Sequence, residues 1–242
     1  MNLLSKTKIL LLALTVAASV TLVPAASASV IGHINFTNCG NGGVNVTATS
    51  IDFVQPFAGG TGCIVTGTNM AVTYTGGGPL VGGVTGTDND LVFGGPPSQN
   101  LNFLQFTGNP NLVFNLTGVG PGVINTICAN SNNPNLPACS TVAGSPFILA
   151  PNANGTSVTF TVNGLAFDSG PNTSTWTGAY TTQINGQTPA QIQSIINGGG
   201  SEFSTYSFDG DVNVQVVPEP LTMGLIGGGL IGLAIFGRRR IR

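Results

Sequence analysis

Through the middle of this chain, apolar side chains recur at every second residue. Val158, Phe160 and Val162 alternate with threonines, Leu112, Phe114 and Leu116 repeat the spacing, and Val212, Val214 and Val216 repeat it again. Successive side chains on a strand point to opposite faces, so this alternation predicts strands with one buried face. Trp176, Tyr180 and Ile184, four apart, fit the same period. Between the runs lie turn clusters: Gly76-Gly77-Gly78-Pro79, Gly94-Gly95-Pro96-Pro97 and Pro151-Asn152-Ala153-Asn154-Gly155. Glycine, proline and asparagine interrupt strands through their backbone preferences. The expectation is an all-β domain, a β-sandwich or jelly roll with one short helix. Two phase slips, between Ala48 and Ile51 and between Phe103 and Leu104, read as β-bulges.

The helix is predicted from Pro189 to about Asn197. Thr188 supplies an N-cap hydroxyl, Pro189 suits the first helical position, and Gln191 completes a capping box. Gly198, Gly199 and Gly200 end it, and Ile192, Ile195 and Ile196 give it one apolar face.

Charge is segregated. All six basic residues lie at the ends: Lys6, Lys8, Arg238, Arg239, Arg240 and Arg242. Of the eight carboxylates between them, seven (Asp52, Asp88, Asp90, Asp168, Glu202, Asp209, Asp211) fall within residues 29–216, which hold no Lys or Arg and so carry a formal charge of -7. A polyphosphate requires clustered cations, which His33 alone cannot supply, so nucleic acid is excluded as a partner. Cations and neutral sugars remain as ligand classes. An apolar fraction of 41% argues for a folded domain rather than disorder.

Residues 1–28 read as a signal peptide: a positive start to Lys8, an apolar stretch from Ile9 to Val23, and the small-residue cleavage signal Ala26-Ser27-Ala28. An exported β-rich domain follows over 29–216. The remaining residues, 217–242, comprise Val217-Pro218-Glu219-Pro220, an uncharged apolar and glycine-rich stretch to Gly237, and Arg238, Arg239, Arg240 and Arg242. The apolar stretch is about as short as a spanning helix can be, and the arginines act as cytoplasmic stop charges. Pro218 and Pro220 lack amide donors and keep their segment extended, as a processing enzyme needs. From these residues alone, the tail is equally an ordinary membrane anchor, with Gly224, Gly228 and Gly232 serving helix packing.

The order of parts closely resembles the PEP-CTERM sorting signal. That resemblance is confined to the tail. It implies recognition by an exosortase, a membrane-embedded transpeptidase-like partner in bacteria that make exopolysaccharide, with Val217, Pro218, Glu219 and Pro220 as recognition residues. It also implies transient residence in the inner membrane, then delivery to the cell surface or extracellular matrix.

Four cysteines in an exported chain favour disulfides, and chain order suggests Cys39–Cys63 and Cys128–Cys139. Asp88 with Asp90, and Asp209 with Asp211, are the close acid pairs; both lie beside Gly or Asn and read as turns. Calcium is the one cofactor these oxygens suit, although neither stretch matches an EF-hand loop. Trp176, Tyr180 and Tyr206 are candidates for stacking on sugars, weighed against a place in the core. No nucleophile motif accompanies His33. The resulting expectation is a non-enzymatic surface or matrix protein associated with exopolysaccharide. A carbohydrate-binding adhesin is the alternative, and a secreted hydrolase ranks third.

Overall fold

The computed structural model describes residues 30–54, 61–75, 77–92, 100–168 and 173–214. The expected signal peptide, the turn at Gly94 to Pro97, and the expected membrane helix and arginine cluster of 217–242 lie outside these residues. No helix among the described residues is long and apolar enough to cross a membrane.

The chain runs through β1 (Val30–Asn38), β2 (Gly43–Val46), β3 (Ser50–Val54), β4 (Gly62–Thr66), β5 (Ala71–Tyr74), β6 (Leu80–Val81), β7 (Thr85–Asp88), β8 (Leu91–Val92) and β9 (Asn100–Phe106). It continues with β10 (Val113–Val119), β11 (Ile148–Asn152), β12 (Gly155–Phe167), β13 (Ser174–Asn185), helix α1 (Pro189–Asn197), β14 (Glu202–Ser204) and β15 (Tyr206–Val214).

The all-β expectation holds, but the large sheet does not stop at open edges as one layer of a sandwich would. It follows the order β15, β13, β12, β10, β9, β7, β4, β1 and returns to β15, closing an eight-stranded antiparallel barrel. The closure is possible because β1 is paired along both edges, with β15 on one side and with β4 and β5 on the other. Closing the ring removes the unpaired donors and acceptors that an edge strand exposes.

The register fixes which ends lie together. Gly32 faces Val212 and Ser174 faces Val214, so the start of β1 and the end of β15 share one end of the barrel. At the other end, the smaller sheet β14-β2-β3-β8 caps the opening. Its Phe53 enters the interior, 5.3 Å from the Tyr180 ring and 6.2 Å from Phe103. Phe36 stacks on Phe208 at 4.8 Å across the β1–β15 seam, and Phe160 stacks on Tyr180 at the same separation. Each fully buried aromatic of this kind contributes roughly 1.5–3 kcal/mol. Trp176 is buried as well, and its indole N–H donates to the Asn115 carbonyl at 3.1 Å.

Helix α1 occupies its predicted span. The Thr188 hydroxyl accepts from the Gln191 amide at 3.3 Å, and the Gln191 side chain accepts from the Thr188 amide at 2.8 Å. Ile192 and Ile196 are buried where the helix packs against β11 and β14, while Ile195, expected on the same apolar face, is exposed. Gln193 and Asn197 donate to the Thr141 carbonyl at 2.9 and 3.1 Å, fixing the long β10–β11 connection to the helix.

The two phase slips have different origins. Residues after Val46 turn through Thr47, whose hydroxyl accepts from the Ser50 amide at 2.9 Å, and β3 returns antiparallel to β2. That slip is a hairpin and not a bulge, because a reversal of chain direction also resets the side-chain phase. The second is an irregularity within β9: Asn102 has φ 57°, the pairing with β10 shifts, and Phe103 and Leu104 are both buried.

Disulfides join Cys39 to Cys63 and Cys128 to Cys139, the pairs that chain order suggests. The first ties the end of β1 to the start of β4, and the second staples the β10–β11 connection.

Candidate functional site

Three places gather polar side chains. Asp88 closes β7 and points into the barrel, where it is fully buried. The reading of Asp88 and Asp90 as one turn pair is corrected: Asp88 belongs to a strand, and the chain leaves that strand before Asp90. Asp88 is fully buried and Asp90 exposed, so the two carboxylates lie in different surroundings. Tyr206, the first residue of β15, donates its hydroxyl to Asp88 Oδ2 at 2.7 Å. Asp88 Oδ1 and the Tyr180 hydroxyl are buried without a hydrogen-bond partner. Burial raises the Asp88 carboxyl to about 7, against the opposing pull of the Tyr206 hydrogen bond. Burial and the nearby carboxylate push both tyrosine hydroxyls far above their ordinary range. A void of about 10 Å³ lies beside Tyr180 and Tyr206, walled by Val44, Phe53 and Phe160. That is about the room of one water molecule, and the walls are apolar. No substrate fits there.

Asp90 is exposed and accepts from the Phe53 amide at 2.8 Å. Its carboxyl is raised from the ordinary value, mainly by partial burial.

Asp209 and Asp211 also differ from expectation, since both lie inside β15 and not in a turn. They share its outer face and bracket one imidazole from β1. His33 Nε2 is 3.3 Å from Asp209 and Nδ1 is 3.2 Å from Asp211, while Asn35 donates to Asp209 at 3.2 Å. Each carboxylate thus faces its own ring nitrogen of His33. Among the described residues, no three His, Cys, Asp or Glu side chains are grouped to hold a metal. The four acids suited to calcium are thus divided among a tyrosine, a backbone amide and a histidine.

Trp176, Tyr180 and Tyr206 are all in the core, so none offers an exposed face for a sugar ring. Their alternation in strands reflected packing.

The third place is a surface groove of about 340 Å³ across the outer faces of β7 and β9 and the turn that leads to β10. Thr87 and Gln105, opposite one another in the ladder, form its floor, and Thr107, Asn109 and Pro110 its rim. The lining contains no charged residue. Sequence reasoning missed this site. Its one signal is the turn cluster Thr107-Gly108-Asn109-Pro110, which resembles any other loop of the chain.

Residues 216–240 match the family model of the PEP-CTERM protein-sorting motif. The tail is therefore an exosortase sorting signal, and the chain an exported protein directed to the cell surface. No curated protein and no solved structure matches the chain significantly.

Proposed function

We propose that this chain is a structural protein of the cell surface or extracellular matrix, non-enzymatic in its barrel, associated with exopolysaccharide and released from its tail by an exosortase. The observation that carries this reading is the placement of the sorting motif. Among the described residues the last paired one is Val214, in register with Ser174, and the motif begins at 216. Removal of the tail at or beyond Pro218 therefore leaves every described strand in place, the β1–β15 seam included.

The scattered carboxylates support the non-enzymatic part of the reading. Acid–base catalysis needs groups within hydrogen-bond reach of a substrate. Asp88 is sealed in the core, and Asp209 and Asp211 are engaged by His33 and Asn35.

Intact-mass measurement on protein recovered from the cell surface tests the proposal. The expected mass lacks residues 221–242. A surface protein that retains them is an anchored protein and overturns the processing part of the reading.

A further inference from the structure

We infer that the groove over β7 and β9 binds a neutral, polyhydroxylated ligand, the chemistry of an uncharged oligosaccharide. The inference does not depend on how the tail is processed. It begins with charge. The interior of the chain has no Lys or Arg to attract an anion, and the groove has no carboxylate to attract a cation. Its lining is nevertheless polar: the Thr87 and Thr107 hydroxyls and the Gln105 and Asn109 amides are each both donor and acceptor. Sugar hydroxyls have the same dual character, so these four groups can match them whichever way a hydroxyl points.

The rim is held in place before any ligand arrives. Gly108 adopts φ 79°, a left-handed conformation that glycine reaches without steric cost, and so folds the turn back over the strands. The Asn109 amide is oriented by two contacts. Its oxygen accepts from the Tyr74 hydroxyl of β5, and its nitrogen donates to the Thr107 carbonyl at 3.2 Å. The Thr107 hydroxyl accepts from that of Thr85 at 3.2 Å. Preorganisation of this kind reduces the ordering cost of binding. Pro110 adds an apolar patch suited to the C–H face of a pyranose, and the volume is at the lower end of the range of about 300–1,000 Å³ for ligand pockets.

The test is isothermal titration of the purified full-length chain with four uncharged probes, cello-, malto-, manno- and xylohexaose, and with hexagalacturonate as the charged control. At least one neutral hexasaccharide is expected to bind, with an affinity unchanged by added salt, and the charged control is not. Gln105→Ala, which removes an exposed side chain from the floor, should weaken binding about tenfold, the usual effect of losing one or two hydrogen bonds. Asn109→Ala should do likewise, with circular dichroism showing that both variants keep the barrel. Failure of all four neutral probes overturns the proposal, as does binding that both variants leave unchanged.

Discussion

The hydroxyl of Tyr206 donates to the Asp88 carboxylate at 2.7 Å inside the barrel, joining the first residue of the last strand to the end of β7. The second Asp88 oxygen has no partner, and the nearest groups that titrate, Tyr180, Tyr206 and Asp90, carry no positive charge. In a domain without Lys or Arg, this acid cannot be neutralised by pairing, so protonation is its means of staying buried.

That proton makes stability depend on pH. In the unfolded chain Asp88 loses its proton near 3.8, and in the fold it keeps the proton to about 7. Between those values folding takes up a proton, so stability is full below about pH 4, declines as pH rises towards 7 and levels off above it. The separation corresponds to about 4 kcal/mol, an order-of-magnitude figure. Denaturant titration at pH 5 and pH 8 should show the decline. Asp88→Asn, which keeps the shape without the charge, should flatten it and exceed the parent in stability at pH 8. A decline unchanged in Asp88→Asn would assign the effect to other carboxylates.

How these acids are placed was hidden from the sequence for a physical reason. Helix α1 was legible because its capping box and closing glycines act within a few residues. Strand pairing is not local. β1 and β15 meet across almost the whole interior, and alternation marks a strand without naming its neighbour. Gly210 illustrates the difficulty. Between Asp209 and Asp211 it reads as a turn residue, yet a side chain there would meet the Phe208 ring and the Thr177 carbonyl. The glycine makes room for an aromatic on its own strand, and the acids beside it face outward on the ladder. The groove was equally illegible, since Thr87 and Gln105 come together only when β7 pairs with β9.

Loss of the Tyr206 hydroxyl isolates the hydrogen bond itself. Tyr206→Phe leaves Asp88 with two unpartnered oxygens, so it should destabilise the barrel by about 1–3 kcal/mol. The effect should be larger at pH 8, where the carboxylate is charged, than at pH 5. Equal destabilisation at both values would mean that packing and not the hydrogen bond is at stake.

Across the seam, His33 with its two aspartates contributes little and Phe36 contributes much. The ion pairs are solvent-exposed, a class typically worth about 0–1 kcal/mol, so His33→Ala should change the unfolding midpoint slightly. Phe208→Ala removes the ring stacked on Phe36 and should cost about 3–5 kcal/mol. A His33→Ala variant as unstable as Phe208→Ala would show that the surface cluster, not the core, closes the barrel.

Each disulfide should stabilise the fold by roughly 3 kcal/mol through restriction of the unfolded chain, with Cys39–Cys63 contributing slightly more because it closes the longer loop, 24 residues against 11. Paired serine variants, Cys39→Ser with Cys63→Ser and Cys128→Ser with Cys139→Ser, check this by equilibrium unfolding. If the shorter loop proves the costlier to lose, native contacts around the β10–β11 connection dominate over chain entropy.

The distribution of charge yields a prediction that is independent of folding. Trypsin cuts after Lys and Arg, and no such residue lies between Lys8 and Arg238. The barrel should therefore survive trypsin as one covalent piece even after denaturation and reduction, when structural protection is gone. A protease with different specificity separates covalent immunity from folded protection. Chymotrypsin, which cuts beside aromatics, finds Phe36, Phe53, Trp176, Tyr180 and Phe208 buried in the native barrel. Cleavage at these rings should be slow in native buffer and rapid in denaturant, because access to them requires the chain to open, whereas Phe203 on β14 is exposed and can be cut in either. Equally rapid cleavage after Phe36, Phe53, Trp176, Tyr180 or Phe208 in both conditions would show that the aromatic core is not sealed in solution.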